Sequence, residues 1–191
     1  MPQDQNYAVE VTIEESQTNP LSYFQAAVLH SSCHGERRIR VVTLAIPTTS
    51  NISEVYACVD QAALTTFTAI KAVERTQTHS LESARDYVQK GVTDILTAYR
   101  ANMMSGGAGA AAGLAVPVNM QMFPLLSLAL LKHVALRQSS QIAPDLRAYA
   151  QFLLGTLPTQ TLIPYLYPSL YSLHNMPDEV RRDVLAVVAV Y

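Results

Sequence analysis

The stretch GERRIRVVTLAIPTTSNISEVYACVDQAA, Gly35 to Ala63, changes its period part-way through. Arg38 and Arg40 alternate with Ile39 and Val41, and the run from Arg37 to Ile46 is rich in β-branched residues, so it reads as a strand. Pro47 cannot donate to a ladder and ends it. Thr48 to Asn51 are turn and N-cap residues, and a short helix is expected from about Ile52 to Val59. A β-rich beginning therefore hands over to an α-helical remainder at Pro47, and everything else is placed from that joint.

Working back from it, Tyr7, Val9, Val11 and Ile13 alternate with Ala8, Glu10 and Thr12, the pattern of a half-buried strand. Ser22 to His30 (SYFQAAVLH) is apolar on both faces and predicts a second strand covered on both sides. Ser31 to Glu36 forms a hairpin loop in which Gly35 can take positive φ without a Cβ clash. From Val41 to Ile46 nearly every residue is apolar, so the far half of the last strand lacks a solvent face, and the helical part is expected to pack there. The predicted class is α+β, mainly α: three antiparallel strands, then a helical domain.

Working forward, Asp60 is a good N-cap, and Ala63, Phe67, Ile70 and Val73 recur at helical spacing as far as Glu74, with a break over Thr76 to Ser80. Ser80 caps a helix whose stripe is Leu81, Ala84, Val88, Val92, Ile95, Leu96 and Tyr99. Asn102 to Gly113 is small and Gly-rich and reads as a surface loop. Pro124 suits the first turn of a helix through Lys132, buried by Leu125, Leu128, Ala129 and Leu131. Pro144 opens another through Leu154, with Asp145 at its positive end and Gly155 as its stop. Thr159 is placed to cap one more short helix, and IPYLYPSLYSLH, with Tyr165, Tyr167 and Tyr171, is expected to pack back onto the helices as core. The last stretch, VRRDVLAVVAVY, fits a helix better than a strand by the spacing of Val180, Val184, Leu185 and Val188.

In a chain of 191 residues with 13 basic and 15 acidic side chains, the net charge of -2 offers no field that would gather nucleic acid or anionic lipid. The longest apolar run, Leu114 to Val134, is broken by Asn119, Gln121, Pro124 and Lys132, and falls short of the ~20 apolar residues of a membrane span. Cys33 and Cys58 have no second pair for a zinc spacing and read as free thiols. His30, His34, His79, His133 and His174 are scattered singly; only Cys33 and His34 adjoin, and neighbours in a hairpin loop point apart. Neither a glycine-framed nucleophile elbow nor a phosphate loop is visible, so neither a catalytic residue nor a metal or cofactor ligand is assigned. The notable charge run is Arg37, Arg38 and Arg40: either a surface contact for an anion or partner, or a solvated strand edge that discourages wrong pairing.

The residues GERRIRVVTLAIP followed by SEVYACVDQAA resemble the junction between β-sandwich and helical domain in the COPII inner-coat subunits. The similarity runs on through SLESARDYVQKGVTDILTAYR, MQMFPLLSLALLKHVALR, PDLRAYAQFLL and LIPYLYPSLYSLHNMPDE, in that order, covering about Tyr7 to Glu179. SLESARDYV, PLLSLALLK and LYSLHNMPDE are most similar to the cargo-adaptor subunit, with its GTPase-activating paralogue second and an unrelated helical enzyme domain as the reading from another class. The resemblance implies the C-terminal part of a β-sandwich over 1–47, a helical domain over 48–179 and an unassigned tail over 180–191. It implies a structural module without enzymatic activity, supporting cargo selection and coat assembly on endoplasmic reticulum exit-site membranes. Its partners, through a full-length protein, would be the other inner-coat subunit, the coat GTPase and membrane cargo tails. A complete adaptor also carries a zinc finger, an α/β trunk and a gelsolin-like domain. None of these is recognisable here, so the chain is expected to be a piece of a longer protein whose partial sheet pairs or packs with a second copy.

Overall fold

The computed structural model describes residues 6–15, 17–104, 116–168 and 176–182. Strands β1 (Leu21–Ser31) and β2 (Arg37–Pro47) form an antiparallel hairpin, and helices α1 (Ile52–Ala57), α2 (Gln61–Thr78), α3 (Leu81–Met104), α4 (Phe123–Lys132), α5 (Pro144–Thr156) and α6 (Thr159–Leu166) follow. A 3-10 turn, Val118–Met120, precedes α4, and residues 178–182 are helical.

The hairpin pairs continuously from Leu21 opposite Pro47 to Ser31 opposite Arg37. Its loop closes through Ser32 N–H to the Glu36 carbonyl at 2.8 Å, with Gly35 at φ 82°, where any Cβ would be strained. At the base, the Thr48 N–H donates to the Pro20 carbonyl at 3.0 Å and the Thr48 hydroxyl to that of Asn19.

Three expectations about this region fail. Strand β1, expected to be covered on both sides, is exposed at every position but the half-buried Ser22 and Val28. Tyr7–Ile13 joins no ladder among the described residues. Instead, Asn6 Nδ2 donates to the Leu157 carbonyl at 3.3 Å and Glu10 lies 3.7 Å from Lys71 Nζ, so the segment runs over the helices. Alternation reports which side chains share a face; a strand also needs a neighbouring backbone to take its N–H and C=O groups. Nor do the helices cover the far half of β2: every residue from Val41 to Ile46 is exposed, and Val55 of α1 shares an open hollow with Phe24 and Ile46 at the base. Apolarity on both faces says that a strand is made to be sandwiched, not by what.

The helical unit is built around α2, which touches α3, α4, α5 and α6. Its core joins Ala69, Ala72, Val73, Ala84, Val88, Leu130, Ala135, Leu136, Ala150, Leu154, Leu162 and Leu166. The caps are as expected: Asn51 accepts from Ser53 N–H, Asp60 from the N–H groups of Ala62 and Ala63, and Ser80 from Ser83 N–H. The stripe of α3 is as read, with Ala84 and Val88 buried and Leu81, Val92, Ile95, Leu96 and Tyr99 half-buried.

Other details differ. Helix α2 continues to Thr78, past the expected break, because the Thr76 and Thr78 hydroxyls bond back to the carbonyls of Val73 and Glu74 instead of ending the helix. Its buried face is Thr65, Thr66, Ala69, Ala72 and Val73, while Ala63 is exposed. Helix α4 has Pro124 in its first turn as expected but buries Phe123, Leu126, Ser127 and Leu130, and turns Leu125 and Leu128 outward. A helix apolar on all sides gives no period from which to choose the face. Gly155 lies inside α5; the stop is Leu157, held extended by the following Pro158. Pro158, not Thr159, occupies the N-cap of α6, and no side chain caps it. The segment does pack back, but through Leu162 and Leu166, whereas Tyr165 and Tyr167 are exposed. The glycine-rich stretch at 105–115, Tyr171, His174 and the chain from 183 onward lie outside the described residues, while Asn102 belongs to α3.

Candidate functional site

On β2, the pleat divides the arginine run. Arg38 and Arg40 share one face with His30 and Val28, their partners across the hairpin, while Arg37 stands on the other beside Ser31, Ile39 and Val41. The three arginines are exposed. Arg38 is paired with Glu36, Nε donating at 3.1 Å, whereas Arg37 and Arg40 make no ion pair among the described residues. The run is therefore not one patch but a cationic tip on a hairpin whose remaining length is apolar on both faces.

Between the hairpin base and residues 13–20 lies an open hollow of about 750 Å³, lined by Ile13, Phe24, Ile46, Pro47 and Val55 among others. Its polar lining is of Ser, Thr, Asn and Gln side chains with no titratable group among them, and among the described residues no group of His, Cys, Asp and Glu could hold a metal ion. Cys33 and Cys58 are free and exposed, and no described helix is long and apolar enough to cross a membrane.

A second region, which the residue patterns did not reveal, is the turn after α4. Arg85 of α3 donates Nη1 to the carbonyls of Leu131 (2.6 Å) and Leu136 (2.9 Å). From the other side, Arg147 of α5 reaches those of Val134, Ala135, Arg137 and Ser139, and Gln151 Nε2 that of Ala135 at 3.3 Å. The negative end of the α4 dipole and the turn beyond it are thus met by two guanidiniums. Arg85 adjoins the buried Ala84 and Arg147 lies three residues before the buried Ala150, but their partners are main-chain oxygens, which leave no mark in a sequence. His133 opens the turn; its Nδ1 accepts from Ala135 N–H at 3.3 Å, its ring meets Tyr165 edge-on with centroids 4.9 Å apart, and burial lowers its pKa. Burial raises the pKa of Tyr165, with Tyr149 adding to it.

Comparison with known proteins assigns this architecture. Residues 60–164, more than half of the chain, match the Sec23/Sec24 helical domain, and residues 1–49 the Sec23/Sec24 beta-sandwich domain. The chain is 52% identical over 177 residues to a protein transport protein SEC24 of Podospora anserina, and 50% identical over 178 residues to one of Coccidioides immitis. Each alignment takes in 93% of this chain, which spans only 18% and 19% of those proteins respectively. The crystal structure of the human COPII-coat protein Sec24c superposes with a TM-score of 0.74 at 25% identity, over 82% of this chain and 20% of that one. By the match across its helical domain, the chain belongs to the Sec23/Sec24 family.

Proposed function

We propose that this chain is a non-enzymatic structural module of a COPII cargo adaptor, acting in transport from the endoplasmic reticulum to the Golgi. The observation that carries the reading is the succession of the two family domains along one chain, at about half identity to proteins named for protein transport. In this reading 1–47 contributes the C-terminal part of the β-sandwich, 48–179 the helical domain, and 180–191 leads onward. Its mechanism is geometric. The bundle around α2 is a rigid block, and the hairpin completes its core only against the remaining strands of the sandwich, so that flanking domains are held at set angles. Partners are then reached through the full-length protein: the other inner-coat subunit, the coat GTPase and the cytoplasmic tails of cargo. The place of action is the cytoplasmic surface of exit-site membranes. Arg38 and Arg40 at the hairpin tip would contact a neighbouring surface, Arg37 standing apart on the other face.

The test is a chimaera in which residues 7–179 replace the corresponding stretch of full-length Podospora anserina SEC24, followed through coat assembly on synthetic membranes and cargo export in cells. Incorporation and export at the parental level are expected. A chimaera that folds and is stable but stays out of the coat would sink the reading.

A further inference from the structure

A basic side chain stands three residues before a serine or threonine at four places in the chain: Arg40 before Thr43, Arg75 before Thr78, Lys90 before Thr93 and Arg137 before Ser140. The fold treats them differently. Thr43 lies in β2, paired opposite Gln25, whose Nε2 donates to its hydroxyl at 3.1 Å. Thr78 and Thr93 lie in α2 and α3, and their hydroxyls donate to the carbonyls of Glu74 and Gln89 at 3.3 and 2.9 Å. Ser140 alone of the four belongs to neither helix nor strand. It sits in the irregular stretch 137–143 between the braced turn and α5, it is exposed, and its hydroxyl makes no hydrogen bond among the described residues. Arg137, Gln138, Gln141 and Ala143 are exposed around it, whereas Ser139 is half-buried and its hydroxyl takes the Gln141 N–H at 3.2 Å. Behind this stretch stands Arg147. Its Nη1 is occupied by the carbonyls of Val134, Ala135 and Arg137, but Nη2 has only a long contact to the Ser139 carbonyl at 3.4 Å, and Nε has none, so part of the five-donor fork is unused. The Ser140 Cα, joined to that carbonyl through one peptide bond, is by backbone dimensions at most roughly 6 Å from Nη2.

We propose that Ser140 is a phosphorylation site, modified by a serine kinase that reads Arg137, and that Arg147 holds the phosphate. A kinase takes its substrate as an unpaired, extended segment, because the acceptor hydroxyl must reach the transferring phosphoryl group in line. A threonine in a ladder or a helical turn cannot be drawn out without breaking backbone hydrogen bonds. In an extended segment the side chain three residues back lies about 10 Å from the acceptor, and a guanidinium there can pair with a carboxylate beside the kinase's active cleft. In the transfer, the bond from the γ-phosphorus of ATP to its bridging oxygen breaks and a bond from that phosphorus to Ser140 Oγ forms. The hydroxyl proton passes to the kinase's catalytic carboxylate, and ADP leaves. The product carries a charge of about -1.5 to -2 and three acceptor oxygens, within reach of the unused donors of Arg147.

The experiment incubates the folded whole chain with the catalytic subunit of cyclic-AMP-dependent protein kinase and ATP, and locates the phosphate by mass spectrometry. A single phosphate per chain is expected, on Ser140. Ser140→Thr should keep the label at that position, which separates selection by the fold from a preference for serine over threonine. Arg137→Gln, which removes one charged contact to the kinase, should slow incorporation about tenfold or more. At low ionic strength the phosphorylated chain should have a higher urea midpoint than the unmodified one, the gain shrinking in strong salt and vanishing in Arg147→Ala measured against its own unmodified form. Absence of phosphate from Ser140, equal labelling of Thr43, Thr78 or Thr93, or undiminished incorporation in Arg137→Gln would overturn the site. An unchanged or lowered midpoint on phosphorylation, or a gain that survives in Arg147→Ala, would overturn the contact with Arg147.

Discussion

The hairpin and the helical unit are both rich in apolar side chains and use them oppositely. In the hairpin Ile39 is 69%, Val42 60% and Leu44 55% exposed, while in the bundle Leu130, Leu154 and Leu162 are at 0%. The difference lies in what each element can do alone. Amphipathic helices joined by short turns bury their stripes against one another, so the information for that core is contained in about a hundred consecutive residues. A two-stranded ribbon has two faces and two edges, and cannot cover any of them itself. One region is finished locally; the other leaves both its apolar faces open.

The widest consequence concerns assembly. Each exposed hairpin side chain that would be buried in a closed sandwich forfeits roughly 1.5–3 kcal/mol, and the open edges invite another strand. The whole chain is therefore expected to self-associate through β1 and β2, whereas a version beginning at Thr48 stays monomeric. Light scattering decides it: a monomeric whole chain at tens of micromolar would mean that some segment closes the sheet, and the contrast between the regions would vanish.

The same contrast can be read by substitution. Phe123→Ala or Leu154→Ala removes a fully buried side chain from the bundle and should cost about 2–5 kcal/mol in urea denaturation followed by the helical signal. Leu44→Ala, of comparable chemistry, should move that transition by less than about 0.5 kcal/mol. Comparable losses would show that the two regions unfold as one unit.

How much of this was legible depends on whether the signal was carried by side chains near in sequence. Pro47, Gly35, Asn51, Asp60, Ser80, Pro124 and Pro144 act on their own backbone, and the joints they mark were readable. The buried faces of α2 and α4 were not, because Thr65, Thr66 and Ser127 sit in the core. The hydroxyls of Thr65 and Thr66 are satisfied by the carbonyls of Gln61 and Ala62, so residues that count as polar line a packed interface. Tyr7–Ile13 alternates, but no ladder takes the pattern up and its apolar members Tyr7, Val9, Val11 and Ile13 are all exposed. At the candidate sites, the arginine run was visible as a run, but the pleat splits it, while the cations of the α4 turn were masked by lying singly among helix residues.

That turn offers an intermediate effect. Arg147→Ala leaves the carbonyls of Val134, Arg137 and Ser139 without their donor and that of Ala135 with Gln151 alone, and a hydrogen bond to a charged group is worth about 1.5–3 kcal/mol. A loss of that size is expected in urea denaturation, with Arg147→Lys recovering little, because an ammonium cannot span the acceptors as the planar fork does. Full recovery by Lys would mean that charge at the helix end, not the fork, holds the turn.

The smallest expected effect is a dependence on pH. Burial lowers the pKa of His133 from the usual 6.5, and its surroundings give a proton no partner: Lys132 precedes it, Tyr165 covers its ring, and Arg85 and Arg147 lie behind the turn carbonyls. The neutral ring also serves as acceptor for Ala135 N–H. Because the folded-state value is depressed, the stabilisation is fully present above 6.5. It is lost as pH falls from there towards the folded-state value, since the unfolded chain takes up the proton first. Urea midpoints measured one unit above and one unit below 6.5 should therefore fall in the native chain and change less in His133→Asn, which cannot titrate. An equal fall in both would assign the pH response to other groups and leave the α4 turn, like the bundle around it, indifferent to protons in this range.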